Sequence, residues 1–248
     1  MIIIITLFAA IFGSFINMLI YRLPKMINGE NISPIHPRQS FCPNCKHTLN
    51  GKDLAPILSF IFSLGKCRYC QQKIKIRYLL VEIISVASVI VLYNIFGLST
   101  EFYYFLPLIM GLITLFWIDF ETHLLPDIIT IPLVWLGLIY NLQFGDIHSS
   151  IIGATIGYLS LWSVFWLFKI IRGKEGLGYG DFKLFAVFGA WFGWQILNPT
   201  LLIAAIIGII YYIIKVRDKN QEFAFGTLLI LALPITLIGN IYINPLLG

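Results

Sequence analysis

The stretch MIIIITLFAAIFGSFINMLIYRLP, residues 1–24, decides the fold. Residues 1–21 hold no charged side chain, and about 20 apolar residues carry a helix across the hydrocarbon of a bilayer. No Lys or Arg precedes the run, so the basic start of a secretory signal is missing. The run ends in Tyr21-Arg22-Leu23-Pro24, with no small-residue cleavage site. It therefore reads as a permanent span. Apolar runs of similar length follow at 78–97, 102–120, 127–144, 150–171, 182–197, 200–214 and 224–245. The expected fold is all-α and polytopic, with about eight transmembrane helices at the length a bilayer requires. Residues 22–77 form the only long hydrophilic stretch. This gives a first helix over 1–23, a polar domain over 24–77 and a seven-helix membrane core over 78–248.

Composition supports this reading. Of 248 residues, 58% are hydrophobic and 12% charged, against about 25% charged in a soluble domain. That excludes a water-soluble globule, and it excludes disorder, which needs charge and few aromatics. The runs are continuous, whereas strands of a membrane barrel alternate in polarity.

The basic residues orient the chain. Ten lie from Arg22 to Arg77, four from Lys169 to Lys183 and three from Lys215 to Lys219, which accounts for all 17. If the spans alternate, every one lies on the same side, and the excess of Lys and Arg marks the cytoplasm. Both termini then face outward and the polar domain is cytoplasmic. The net charge of +5 reflects topology. A nucleic-acid surface is not expected, since no dense basic run is interleaved with aromatics.

All four cysteines lie in the polar domain, as Cys42-Pro43-Asn44-Cys45 and Cys67-Arg68-Tyr69-Cys70. Two such pairs can present four thiolates to one tetrahedral zinc. Reducing conditions in the cytoplasm disfavour disulfides. Four protein ligands leave no open position, so the zinc is structural, and metal binding supplies folding energy that so small a loop lacks. His36 and His47 read as solvated loop residues.

Acidic residues at a membrane boundary are costly and mark candidate sites. Here they are Glu82, Asp119, Glu121, Asp127 and Asp181. Asp119 closes the third run and Asp181 opens the sixth, within Gly178-Tyr179-Gly180-Asp181. Both fall on the basic side. Two carboxylates brought together there share one proton. The ionised member takes a proton from water and the protonated member donates to a carbonyl oxygen, the acid–base pair of aspartyl proteolysis. Alternatively, Asp181 and Asp127 serve only as helix caps or dipole partners.

These residues resemble the prepilin leader peptidases of type IV pili and type II secretion, bifunctional peptidase/N-methyltransferases of the membrane. The match runs from Gly13-Ser14-Phe15-Ile16-Asn17 and Tyr21-Arg22-Leu23-Pro24 through the cysteine pairs, Arg77-Tyr78 and Val81-Glu82. It continues through Ile118-Asp119, Leu125-Pro126-Asp127 and Gly157-Tyr158-Leu159-Ser160-Leu161-Trp162. It ends in Gly173-Lys174-Glu175-Gly176 and Gly178-Tyr179-Gly180-Asp181-Phe182-Lys183. The resemblance implies an enzyme of the bacterial inner membrane that cuts a basic leader from prepilins or pseudopilins. It then methylates the new amino terminus with S-adenosylmethionine. It implies Asp119 and Asp181 as the catalytic dyad, Cys42, Cys45, Cys67 and Cys70 as zinc ligands, and Gly65 as a residue of methyl transfer. Asn17 and Glu82 are further candidates for methyl transfer, and Glu121, Asp127 and Glu175 for attracting the leader. The chain departs from the family pattern with Glu121 where many members carry a second Asp, Leu79 for a proline, and Leu54-Ala55-Pro56 before the second cysteine pair.

Two other classes compete. A polytopic ion or solute transporter also uses boundary acids and glycine-broken helices, but is expected to carry repeats and a mid-membrane site. A scaffold that docks through its zinc knuckle has no need of Gly-Tyr-Gly-Asp.

Overall fold

The computed structural model describes residues 2–30, 32–34, 39–173, 178–215 and 224–247. His36 and Glu175 lie outside them. The described residues are mostly helical, and six helices are long and apolar enough to cross a membrane. They are α1 (Ile2–Ile27), α3 (Arg77–Phe96), α4 (Thr100–Thr122), α5 (Asp127–Phe144), α6 (Ile147–Arg172) and the segment Trp194–Ile214, which contains most of α8 (Leu197–Lys215). Only 22% of the apolar window of α1 is buried, leaving Ile3, Ile4, Leu7 and Ile11 exposed. An outward apolar surface of this kind suits lipid. The chain divides into two compact units, Met1–Thr114 and Leu115–Gly248.

In the N-terminal unit, α1 packs on α3. Gly13 makes the close approach, since a Cβ there would stand 2.9 Å from Glu82 Cα. Helix α1 continues past the apolar run, through Pro24, to Ile27. Buried Arg22 supports this extension: its guanidinium donates to the carbonyls of Pro34 and Gln39, both at 3.2 Å. Between α1 and α3 lie the cysteine loop and a single short helix among the described residues, α2 (Leu58–Phe62).

In the C-terminal unit, α7 (Tyr179–Phe192) is the central element. Every residue from Phe182 to Trp191 except Lys183 is buried. It packs on α6 and α5. Lipid is as apolar as Phe, so this seam rests on close packing rather than on exclusion of water. Small residues make it possible. A Cβ on Gly153 would stand 2.5 Å from Gly189 O, and one on Gly157 would stand 2.7 Å from Phe185 O. The run 182–197 expected as one span is interrupted: α7 stops at Phe192, and residues 194–196 form a 3₁₀ turn. The cause is Gly193 at φ 80°, a conformation that ends an α-helix. The last helix, α9 (Phe225–Leu247), packs on α8 and α7. Asp146 caps α6 by accepting from the amides of His148 and Ser149.

Candidate active site

Asp119 lies in the last turn of α4 and Asp181 in the first turn of α7. They are 3% and 6% exposed, so neither is an ordinary interfacial charge. The amino terminus of α9 brings them together. A Cβ placed on Gly226 would lie 3.1 Å from Asp119 Oδ2 and 3.1 Å from Asp181 Oδ1. The two oxygens are therefore no more than twice that distance apart, within the reach of one bridging water. The Thr227 amide and hydroxyl both donate to Asp119 Oδ2, the hydroxyl at 2.7 Å. The amide is one of the free backbone donors of a helix start, which attract negative charge, and the hydroxyl adds a side-chain donor.

Asp181 combines the two roles left open by its position. Its Oδ2 accepts the Gly178 amide at 3.1 Å and so caps its own helix, while Oδ1 faces Asp119 across Gly226. Leu125 fills the space between two glycines. A Cβ on Gly180 would meet Leu125 Cβ at 2.6 Å, and one on Gly226 would meet Leu125 Cδ1 at 2.8 Å. The Leu-Pro turn thus walls one side of the dyad. Leu125, Gly226 and Thr227 were not legible as site residues. The available signal was Phe225-Gly226-Thr227 opening the last apolar run, since Gly and Thr both suit a helix start.

The other candidates are placed as follows. Glu121 is exposed near the end of α4. Asp127 is exposed in the first turn of α5 and forms an ion pair with Lys183 at 2.6 Å. Asn17, Glu82 and Gly65 all lie in the N-terminal unit. Asn17 Nδ2 donates to Tyr78 O at 2.9 Å. Glu82 Oε2 accepts the Ile57 amide at 2.7 Å. Ile57 sits at φ 62°, ψ −51°, and Leu58 N donates to Pro56 O at 2.6 Å. That is a strained γ-turn for a β-branched residue, and it starts α2. Gly65 returns to α2: its amide donates to Phe60 O, and a Cβ on it would stand 3.1 Å from the Phe60 ring. These contacts link Gly65 to Glu82 through α2 and Ile57.

The four cysteine Sγ atoms lie within 4.8 Å of one another, and no disulfide joins them. Cys42 and Cys70 are 3.9 Å apart, close to the roughly 3.8 Å edge of a tetrahedron with Zn–S bonds of about 2.3 Å. The two pairs form matching knuckles. Cys42 N donates to His47 O and Lys46 N to Cys42 O; Cys67 N donates to Gln72 O and Gln71 N to Cys67 O. Lys46 and Gln71 each take positive φ to close the turn. The Gln72 amide, with Asn44 behind it, holds the Cys70 thiol down to about 6, whereas Cys45, although the His47 amide lowers it, is pushed up to about 11 by burial and its thiol neighbours, so the cluster loses its protons unequally. His47 stacks on Tyr69, ring centroids 3.6 Å apart. The donor set fits zinc.

Two parts of the chain match known families. Residues 7–96 match the bacterial peptidase A24 N-terminal domain, and residues 106–213 match the type IV leader peptidase family. The chain is 40% identical to the prepilin leader peptidase/N-methyltransferase of Dichelobacter nodosus, over 98% of this chain and 93% of that one. It is 39% identical to the protein of that name from Pseudomonas putida, over 92% and 86%. For the one from Klebsiella pneumoniae the identity is 44%, over 78% and 86%. No solved structure matches.

Proposed function

The chain belongs to the type IV leader peptidase family, and on that premise we propose how its residues divide the work of cutting prepilin leaders and N-methylating the product. Asp119 and Asp181 form the peptidase dyad. The observation that carries this is Gly226, whose Cβ position lies 3.1 Å from an oxygen of each buried carboxylate. One carboxylate, ionised, takes a proton from a water placed between them. The other, protonated, donates to the scissile carbonyl oxygen. The resulting hydroxide adds to the carbonyl carbon, and the proton returned to the leaving nitrogen completes cleavage. Thr227 holds Asp119 in position throughout, and Leu125 keeps bulk water from one side. Co-expression with a prepilin tests the reading: a leader-length shift on a gel supports it, and an uncut precursor opposes it. A transporter is disfavoured because both acids serve one helix-end cluster and the relatives this chain matches are named as leader peptidases.

The eight-span topology, with outward termini and the zinc knuckle and dyad at the cytoplasmic face, belongs to this proposal. The positive-inside pattern supports it. The prepilin is held in the bilayer by its own apolar helix, with its basic leader on the cytoplasmic side. Glu121 and Asp127 attract that leader, with Glu175 as a third acid outside the described residues. Asp127 forms an ion pair with Lys183, and Glu121 is the acid taken for the test. Glu121→Lys is expected to raise the KM for a basic leader by about tenfold while leaving a neutral leader unaffected. Equal KM shifts for both leaders would remove Glu121 from this role.

Methyl transfer is proposed for the N-terminal unit, around Gly65, Asn17 and Glu82. S-adenosylmethionine, when bound, supplies an electrophilic methyl group. Zinc on Cys42, Cys45, Cys67 and Cys70 holds the loop that carries Gly65. Structural zinc contributes about 10–16 kcal/mol of apparent binding energy in small knuckles. Cys42→Ser with Cys67→Ser should lose the metal, measured by elemental analysis, and make residues 39–76 protease-sensitive. Retained order without metal would show that the knuckles fold unaided.

A further inference from the structure

The N-terminal unit holds a buried carboxylate that the peptidase chemistry leaves unused. Glu82, on α3, is 8% exposed and faces α1. Its neighbours are the Ile57 amide at 2.7 Å and the Ser14 hydroxyl. Both are neutral. Arg77, at the start of α3, lies over the Tyr78 ring at 4.7 Å.

Two further acceptor atoms in this helix pair are buried without a partner, Asn17 Oδ1 and Ser85 Oγ, on side chains 2% and 0% exposed, and the guanidinium of Arg77, 5% exposed, is buried at the start of the same helix α3. Ser85 Oγ lies 3.2 Å from the Cβ position of Gly13, which is itself 2.9 Å from Glu82 Cα. Asn17 stands one turn along α1 from Gly13, with its amide nitrogen bound to Tyr78 O. A packed apolar seam normally leaves no such atoms unmet. Here an amide oxygen, a hydroxyl and a carboxylate met by neutral donors share one stretch of the α1–α3 contact. That is an acceptor set suited to a small cation carrying several N–H donors.

We propose that Ser14, Asn17, Glu82 and Ser85 bind a primary ammonium during N-methyl transfer, an inference that rests on the N-methyltransferase reading above. A primary ammonium occurs twice in that reaction, as the new amino terminus of the cut substrate and as the α-amino group of the methyl donor. For the amino terminus the step balances as follows. The ammonium gives a proton to the Glu82 carboxylate, which passes it to water. The freed nitrogen lone pair forms the N–C bond to the donor's methyl carbon. The S–C bond breaks with its electron pair returning to sulfur.

Glu82 also holds the Ile57 turn, so the test must separate charge from structure. In Glu82→Gln the side chain keeps an oxygen for the Ile57 amide, loses the negative charge and turns its second oxygen into an NH2 that can donate to the Ser14 hydroxyl. The full-length protein in nanodiscs is given a prepilin and S-adenosylmethionine. Glu82→Gln is expected to leave leader cleavage at the wild-type rate and to cut N-methylation, read by mass spectrometry, by about a hundredfold or more. Equilibrium binding of labelled S-adenosylmethionine identifies the source. Unchanged binding, with weaker capture of a processed pilin peptide, assigns the substrate amine; binding of the donor weakened about tenfold or more assigns the donor's amine. Ser85→Ala should weaken the same binding step in part. Wild-type methylation and binding in Glu82→Gln would overturn the proposal. A wild-type protein that cleaves but never methylates would instead overturn the reading beneath it.

Discussion

Asp119→Asn and Asp181→Asn are each expected to lower leader cleavage by about a thousandfold or more, equivalent to about 4 kcal/mol of transition-state stabilisation. Each substitution removes a group that can exchange a proton while preserving its size. In Asp119→Asn the amide would still offer an oxygen to Thr227, whose hydroxyl now donates to Asp119 Oδ2 at 2.7 Å. In Asp181→Asn the amide oxygen would still cap α7 by accepting from Gly178. Folding should therefore survive, and zinc content and thermal unfolding should match wild type. In the proposed dyad the two carboxylates act as one acid–base unit, so the double variant should be little worse than either single. The measurement is cleavage of a prepilin in membranes, followed by gel shift over time. Normal cleavage in either variant, with the protein folded, would remove that residue from the dyad.

Gly226→Ala comes next in expected effect and tests the geometry independently of the acids. Its Cβ would sit 3.1 Å from an oxygen of each carboxylate and 2.8 Å from Leu125 Cδ1. The helix itself gains from alanine, since glycine is the poorer helix former by up to about 1 kcal/mol. The cost falls on the site, where the methyl group takes the space of the attacking water or pushes the acids apart. Misplacing reacting groups by about 1 Å costs about a hundredfold in rate, so kcat should fall by that order while thermal stability holds or rises. Valine should do more harm than alanine. Wild-type kcat in Gly226→Ala would mean that the reaction occurs elsewhere than between the carboxylates.

Different parts of the molecule were legible to different degrees. The helical, membrane-apolar character followed from run length alone, because 21 uncharged residues in sequence admit few alternatives. The spacing of Cys42, Cys45, Cys67 and Cys70 was sufficient to propose one metal, and the four sulfurs do converge. The break at Gly193 escaped detection because hydropathy does not register a backbone turn; φ 80° leaves no trace in an apolar average. The two Cys-x-x-Cys turns were legible, but the backbone conformation that closes them was not. Lys46 and Gln71 adopt the same positive φ but share no side-chain chemistry that repeat detection could find.

By itself, the sequence determined which residues can act: two acids at span ends, four thiols, and glycines where backbone comes close. These are local properties, set by the solvation cost of a charge near lipid and by the reach of a few bonds. Only the tertiary structure decided which residues act together. Asp119 and Asp181 meet through Gly226 and Thr227, which come from a helix more than a hundred positions from Asp119. Glu82, equal to them on paper as a boundary acid, joins α1 and the Ile57 turn instead. The physical reason is that a carboxylate's role depends on which donors and which second charge lie within a few ångströms. Helix packing sets those distances, and the order of residues along the chain does not encode them.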